Sequence, residues 1–280
     1  MSPDISETLS EQQRNESDAQ RLMIFNRCNL PPWVIGSVEF QDDPQPLEID
    51  GVRMTDRRLF ERLAALDDPE ERGRNFHDYV SVKFRLHEWE QYNASARDSL
   101  RHSYIQLLHG WSADSNGRAG AVLKGWVESR FGLRATFHCG RLAEDSEARE
   151  RYWADRMQGA ARMMGVSMQL DLLYTFCQNE LRRRYGPDER WVTLYRGTHD
   201  PDEYTLKGSS GPGRTVVLNC LSSFSSDSEV AWEFGSRVWE VRVPLSKVFF
   251  FSGLLPSWLL GGESEWLVLG GEYRVKTLQW

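Results

Sequence analysis

The chain has 280 residues, of which 40% are hydrophobic, and this is enough for one large domain or two small ones with a sizeable core. Its 34 lysine and arginine residues against 41 aspartate and glutamate residues give a net charge of -7, which argues against a general nucleic-acid binder. The four cysteines lie far apart with no Cys-x-x-Cys pair, so neither a zinc site nor a disulfide framework is expected. Free thiols in a reducing compartment are the simpler explanation, and they predict a cytoplasmic protein.

The first two-thirds of the chain is typical of helices. Residues 1–20 have few apolar side chains and many polar ones, which predicts a disordered tail with no secretory signal. Apolar residues at helical spacing then predict three helices, over residues 57–66, 97–109 and 146–164. A fourth and clearer helix carries an apolar stripe from Leu170 to Leu181 and is expected to end before Gly186 and Pro187.

The last third changes to short strands. The β-rich runs cover residues 191–196, 215–221, 238–243, 248–251, 266–269 and 273–278. A short helix is expected over Ser228–Gly235, with Val230, Ala231 and Phe234 facing inward. Close spacing without long crossovers favours a mostly antiparallel sheet. The longest apolar stretch, residues 248–260, is too short and too interrupted to cross a membrane.

These elements predict an α+β fold with two parts. A mainly helical region over residues 21–187 packs on a β-rich core over residues 188–280. We expect the two parts to form one compact unit.

Two acidic residues precede the strand predicted over residues 266–269. Side chains two positions apart on a strand point to the same face, so Glu263 and Glu265 are expected to project together just after Gly261 and Gly262. Two carboxylates on one face repel each other, and a cation between them relieves the repulsion. The pair is therefore either a solvated strand end or a site that handles positive charge.

Two further clusters lie at the ends of earlier strands. Arg196 follows Tyr195, and its planar guanidinium group can donate two hydrogen bonds to a phosphate or carboxylate. Gly197, which comes next, would let a ligand approach the backbone. The alternative for Arg196 is a surface salt bridge. Ser223 and Ser225 share one strand face and offer hydroxyls to a sugar, an amide or a nearby carboxylate.

The serines have a structural alternative, because serine often caps a helix. The short helix near Ser228 needs such a cap. We expect Ser226 and Asp227 to supply it, which leaves Ser223 available for a site.

The order of these clusters is more informative than any one of them. Tyr-Arg-Gly, then Ser-Phe-Ser, then Glu-x-Glu resembles the Arg-Ser-Glu class of ADP-ribosyltransferases over about residues 191–278. In that class the middle motif is usually Ser-Thr-Ser, and here Phe224 replaces the threonine while both serines remain. The Glu-x-Glu form resembles the members that modify arginine.

Longer strings extend the likeness over most of the chain. Residues 25–33, 75–79 and 193–198 resemble the bacterial dinitrogenase reductase ADP-ribosyltransferase family. The resemblance implies an enzyme that attaches ADP-ribose from NAD to an arginine of the nitrogenase iron protein and so switches it off. It also implies control by a P-II type nitrogen-signalling protein, with ADP as the nucleotide.

The same resemblance implies roles for the cleavage of NAD. Glu265 is the central catalytic residue, which accepts a hydrogen bond from the ribose and stabilises the cation that forms. Ser223 orients Glu265 or the ribose. Arg196 holds the pyrophosphate side of NAD, and Gly197 and Thr198 lie near the nicotinamide amide.

Four further residues receive roles from the resemblance. Phe224 and Ser225 belong to the NAD-binding side, and Glu263 engages the incoming guanidinium and takes its proton. The loop over residues 252–262 resembles the loop that reads the target protein, and Trp258 in it is expected to contact the target around its arginine. The alternative for the apolar residues of this loop is core packing.

Two other functions use the same residues. An NAD glycohydrolase would employ the same site with water as the acceptor, but the presence of Glu263 argues against it as the main activity. A non-catalytic NAD-sensing or partner-binding module would be expected to lack the catalytic glutamate, and Glu265 is present.

Overall fold

The computed structural model describes residues 26–86, 103–160, 163–199, 204–207, 214–257, 259 and 264–278. Within these ranges ten α-helices accompany a six-stranded antiparallel sheet, which confirms the predicted α+β class. Four predictions lie outside the described residues: the tail over residues 1–20, the first part of the helix expected from residue 97, and the roles of Trp258 and Glu263.

The described helices, numbered in chain order, are α1 (Pro32–Ile35), α2 (Val38–Asp42), α3 (Val52–Thr55), α4 (Arg57–Ala64), α5 (Pro69–Lys83), α6 (Tyr104–Ala113), α7 (Arg118–Phe131), α8 (Glu147–Ala160), α9 (Met163–Tyr185) and α10 (Ser228–Glu233). The predicted helices correspond to α4, α6, α8, α9 and α10. The helix expected to end at residue 109 continues to Ala113, and this extra turn reaches the site described below.

Helices α5 and α7 were not predicted from the sequence, and neither were the short helices α1, α2 and α3. Helix α7 is buried on nearly all sides and contains Gly120 and Gly125, which lower its helix propensity. Helix α5 begins with a charged turn, where Asp68 accepts hydrogen bonds from the backbone N–H groups of Glu70 and Glu71. Phe76 and Val80 anchor α5 in the core, and Tyr79 is partly buried against it.

Buried ion pairs tie the helices together. Arg72 on α5 forms a two-pronged pair with Glu180 on α9, at 2.7 Å for both hydrogen bonds. Arg130 on α7 pairs with Asp171 on α9 in the same way, at 2.7 and 2.9 Å. Planar guanidinium and carboxylate groups match in this geometry, so each pair fixes how two helices face each other.

The strands are β1 (Trp191–Thr198), β2 (Tyr204–Lys207), β3 (Arg214–Ser225), β4 (Arg237–Pro244), β5 (Val248–Phe251) and β6 (Glu265–Leu278). They follow the order β2-β3-β1-β4-β6-β5, and β3 also pairs with β6. The prediction of two strands after residue 265 was wrong, because β6 is continuous. A Cβ at Gly270 would lie 1.8 Å from the Asn219 carbonyl oxygen. The glycines therefore let β6 approach β3 closely where the strand register shifts, and they do not interrupt β6.

The core is continuous from the helices to the sheet. Trp126 on α7 packs against Phe249 on β5, with ring centroids 4.8 Å apart, and Phe131 packs edge-on against Tyr174 on α9 at 5.2 Å. These rings join three elements that are distant in sequence. No described helix is both long and apolar enough to span a membrane.

Candidate active site

A cleft of about 380 Å³ opens where β1, β3 and β6 meet. Its other walls are α10 and the last turn of α6. The volume is that of a site for a small organic ligand. Its lining combines hydroxyls, aromatic rings, one guanidinium and carboxylates, contributed by Trp111, Ser112, Ala113, Asp114, Ser115, Tyr195, Arg196, Gly197, Ser223, Phe224, Ser225, Val230, Ala231, Phe234, Ser264 and Glu265.

The pairing of β3 with β6 brings a serine and a glutamate together. Ser225 lies opposite Glu265 in the ladder, so Ser223 is on the same face two residues away. The Ser223 hydroxyl donates to Glu265 Oε1 at 2.8 Å. The structure therefore joins two of the three clusters that the sequence analysis singled out.

Helix α6 adds two contacts to this pair. Trp111 Nε1 donates to Ser223 Oγ at 2.9 Å, and Ser112 Oγ donates to Glu265 Oε2 at 2.7 Å. Both carboxylate oxygens of Glu265 thus accept a hydroxyl proton, from β3 on one side and from α6 on the other. Hydrogen bonds to both oxygens hold the carboxylate in a single orientation.

Arg196 completes the group from β1. Its Nη1 donates to the backbone carbonyl of Ser223 at 2.7 Å, and its guanidinium carbon lies 6.0 Å from the centre of the Phe224 ring. The arginine is therefore held against β3 by a hydrogen bond and by an aromatic face. Its Nε is buried, and the residue lines the cleft together with Phe224.

Gly197 was expected to let a ligand approach the backbone, but the structure shows that a glycine is needed here for packing. A Cβ at this position would lie 2.0 Å from the backbone carbonyl of Ala231, and one at Gly235 would lie 2.1 Å from the backbone nitrogen of Thr198. The two glycines let α10 pack directly on β1. The side of Gly197 that was expected to admit a ligand is filled by α10, although the residue still lines the cleft. The side chain of Thr198 is buried, and Thr198 is not part of the lining.

Ser225 shapes the turn that follows β3. Its hydroxyl oxygen accepts a hydrogen bond from the backbone N–H of Asp227 at 2.9 Å, and the Asp227 carboxylate accepts from the N–H of Glu229 at 2.8 Å. Asp227, one of the two residues expected to cap α10, is thus its N-cap, and the serine that supports this turn is Ser225 rather than Ser226. Ser225 supports α10 and lines the cleft at the same time.

Phe234, just after α10, corrects one prediction. It was expected to face inward with Val230 and Ala231, and Ala231 is indeed buried. Phe234 is instead 55% exposed and lines the cleft. An exposed aromatic ring at the mouth of a cleft is a surface on which a flat ligand can stack.

The loop after β5 is partly core. Leu254 and Leu255 are buried, which confirms core packing for these two residues of the loop. His109 on α6 contacts the backbone carbonyl of Leu259 through Nε2 at 3.0 Å. The roles of Trp258 and Glu263 stay predictions, because both residues lie outside the described ranges.

A buried cation lies behind the site. Lys124 on α7 is almost completely buried, donates to the Phe137 carbonyl at 3.0 Å and lies 5.9 Å from the Trp111 ring centre. His138 next to it is fully buried with its Nε2 3.1 Å from Asp155 Oδ2, and burial holds the pKa of His138 below its usual value. The ring of Trp111 therefore lies near a buried lysine that is itself held in place by a hydrogen bond.

Comparison with known proteins identifies the family. The family model described as dinitrogenase reductase ADP-ribosyltransferase (DRAT) matches residues 25–277. The chain belongs to this family. A curated relative from Rhodospirillum rubrum, "NAD(+)--dinitrogen-reductase ADP-D-ribosyltransferase", is 41% identical over 258 residues, which is 90% of this chain and 94% of the relative. No solved structure matches the chain significantly.

In this member of the dinitrogenase reductase ADP-ribosyltransferase family, Trp111 and Ser112 belong to the site but were not predicted from the sequence. The helix was predicted to end at residue 109, before both of them. Trp111 and Ser223 are 112 positions apart, and no spacing rule connects them. The signal that was present is the string Trp-Ser-Ala-Asp-Ser at residues 111–115, which places an indole next to hydroxyls and a carboxylate at a helix end.

Proposed function

We propose that this protein is an NAD-dependent mono-ADP-ribosyltransferase that transfers ADP-ribose from NAD to an arginine of the nitrogenase iron protein. The transfer would inactivate that target and so regulate nitrogen fixation. The observation that carries the proposal is the Ser223–Glu265 hydrogen bond beside Arg196, in a cleft of about 380 Å³. The name of the relative from Rhodospirillum rubrum supports it, because that enzyme is named for NAD and dinitrogen reductase.

The first chemical step is loss of nicotinamide from NAD. As this bond breaks, positive charge develops on the ribose ring, as in glycoside cleavage. Glu265 supplies a carboxylate whose two oxygens are already fixed by Ser223 and Ser112, so little reorganisation is needed when the charge appears. Such preorganised electrostatic stabilisation is the main contribution we assign to Glu265.

The cleft also offers groups suited to the pyrophosphate and to the nicotinamide of NAD. Arg196 carries a guanidinium that matches phosphate oxygens and is held in place by β3. Phe234 offers an exposed ring to the flat nicotinamide. Ser225 and Phe224 line the cleft between them. These residues form the NAD-binding side of the proposed site.

The second step is attack by the target arginine. A guanidinium nitrogen bonds to the anomeric carbon that nicotinamide has left, and one proton leaves the guanidinium, which neutralises the charge that the ribose carried. A free guanidinium stays protonated and is a poor nucleophile, so a base beside it is needed. We assign that role to Glu263 and target contact to Trp258, and the Glu-x-Glu string supports the first assignment.

A regulator and a location complete the proposal. We propose control by a P-II type nitrogen-signalling protein with ADP bound, on the basis of the family resemblance. All four cysteines are free thiols, which suits a reducing compartment and supports a cytoplasmic location. Transfer measured with the P-II type protein and either ADP or ATP should be faster with ADP. Equal rates with and without that protein would contradict the assignment.

The decisive experiment uses NAD labelled in the ADP-ribose part together with nitrogenase iron protein. Label on an arginine of the target supports transfer. Free ADP-ribose without labelled target indicates a glycohydrolase, and NAD binding without turnover indicates a sensing module. Glu265→Gln should abolish turnover while NAD still binds, whereas Glu263→Gln should lose transfer but keep some NAD cleavage.

A further inference from the structure

Two consecutive residues of α6 contact the catalytic pair from outside the β-rich core. Trp111 donates to Ser223 and Ser112 donates to Glu265, at 2.9 and 2.7 Å. The three motifs that define the class all lie after residue 190, whereas α6 belongs to the helical region. A segment of the helical region therefore completes the hydrogen bonding of the site.

The start of α6 is anchored in the helical region. The backbone N–H of Tyr104 donates to Gln169 Oε1 on α9 at 2.9 Å. The Tyr104 hydroxyl lies 2.9 Å from Nδ1 of His77 on α5, and the Tyr104 ring is fully buried. Because α6 is only ten residues long and rigid, these contacts determine where its last turn meets the site.

The chemistry of a hydroxyl explains what Trp111 does. A serine hydroxyl has one proton to donate and lone pairs that accept. The indole N–H of Trp111 donates to a lone pair of the Ser223 hydroxyl. The single proton of that hydroxyl is then directed toward Glu265 Oε1. Without the indole, the hydroxyl of Ser223 is free to rotate and donate elsewhere.

Ser112 acts on the other oxygen of the same carboxylate. A carboxylate has about four acceptor positions, of which the hydroxyls of Ser112 and Ser223 take one on each oxygen. Among the described residues no other hydrogen bond to this carboxylate is made, which leaves positions for the substrate. Fixing both oxygens prevents the carboxylate from rotating away from the developing charge.

We propose that Trp111 and Ser112 are positioning residues that hold the Ser223–Glu265 pair in its reactive geometry, and that α6 thereby couples the helical region to catalysis. The inference rests on the proposed function. It extends the site to two residues outside the three motifs. A displacement of α6 would remove a donor from Ser223 and another from Glu265 together.

The test measures kcat and KM for NAD with labelled NAD and the iron protein. Ser112→Ala should lower kcat roughly 10- to 100-fold, the effect of losing a hydrogen bond to a charged group, while KM for NAD changes less than about twofold. Ser112→Thr keeps the hydroxyl and should restore most of kcat. Ser236→Ala removes an exposed hydroxyl that is outside the cleft lining, and it should match the wild type.

A double-mutant cycle separates positioning from packing. Trp111→Phe keeps an aromatic ring but loses the N–H donor, and it should lower kcat roughly threefold to tenfold. In a Ser223→Ala background the same change should have almost no further effect, because Trp111 acts through Ser223. Equal losses in both backgrounds would show a packing role and overturn this part of the proposal.

The outcomes also distinguish this inference from the proposed function. Wild-type kcat in both Ser112→Ala and Trp111→Phe, with Glu265→Gln inactive, overturns the positioning role alone. Absence of labelled target with the wild type, or full activity of Glu265→Gln, overturns the proposed function instead. If Trp111→Phe does not fold, the comparison of Ser112→Ala with Ser112→Thr decides the question.

Discussion

Lys247 is a buried cation whose removal should stabilise the protein. It ends the short 3-10 turn Leu245–Lys247 and is almost completely inaccessible to solvent. Its Nζ lies 4.3 Å from the centre of the Tyr273 ring and 5.8 Å from that of Phe40. Burial lowers the pKa of Lys247 from 10.5 to about 7, although the charge of Glu272 opposes this.

The sign of the pH dependence follows from this shift. The folded protein holds the proton of Lys247 less tightly than the unfolded chain does, so folding is penalised wherever the unfolded lysine is charged. The lysine penalty is greatest at and below about pH 7 and disappears as pH rises toward 10.5. At pH 7 the penalty is about 4 kcal/mol by linkage, and attraction to the Tyr273 ring reduces it.

Lys247→Met keeps a long flexible side chain and removes the charge. We expect it to raise the free energy of unfolding at pH 7 by about 1–4 kcal/mol, and the gain should shrink as pH approaches 10. Urea unfolding of both proteins between pH 6.5 and about 9.5 measures the difference, in which the titration of the buried tyrosines and cysteines cancels.

Lys276→Met is the matched control, because Lys276 is an exposed lysine on β6 whose side chain is 66% accessible. The exposed ion pair of Lys276 with Glu240, at 3.1 Å, contributes little, so the change should lower stability by less than about 1 kcal/mol and give no gain at pH 7. A Lys247→Met variant that is less stable than the wild type at pH 7, or whose advantage grows with pH, would refute the reasoning.

Three other predictions concern the site. Gly197→Ala should lower the free energy of unfolding by about 2–3 kcal/mol, because its Cβ would lie 2.0 Å from the Ala231 carbonyl; an unchanged denaturation midpoint would contradict this. Arg196→Lys should raise KM for NAD roughly tenfold, because one ammonium cannot both bond the Ser223 carbonyl and present a planar fork to phosphate; steady-state kinetics that match the wild type would argue against the role. Phe234→Ala should raise the dissociation constant of NAD roughly threefold to tenfold with no loss of fold, and calorimetric titration that shows unchanged affinity would exclude stacking on this ring.

Some elements could be predicted because their signals are local. Helix α9 carries a regular apolar stripe and ends before Gly186, whose φ of +88° is one that glycine tolerates. Asp227 could be expected to cap α10, because capping depends on residues within one turn. Helix α7 was not predicted in the same way, because Gly120 and Gly125 lower the helix propensity of its sequence.

The residues of the candidate site could also be predicted locally, whereas the contacts between them could not. Arg196, Ser223 and Glu265 stand out in the sequence because each falls in a short motif at a strand end, and the order of the motifs indicates the class. Their contact through Ser223 depends on the pairing of β3 with β6. That pairing joins residues about 40 positions apart in the chain, so it is a property of the sheet and not of either motif.

The sequence by itself determined the α+β class, the family and the three motifs, because these depend on residue types and their local order. Only the tertiary structure decided that α6 supplies Trp111 and Ser112 to the site, that Phe234 faces the cleft, and that Gly197 makes room for α10. The physical reason is that such contacts are made between elements whose packing is set by the whole core. Local spacing constrains which face a side chain occupies, but not which distant element it meets.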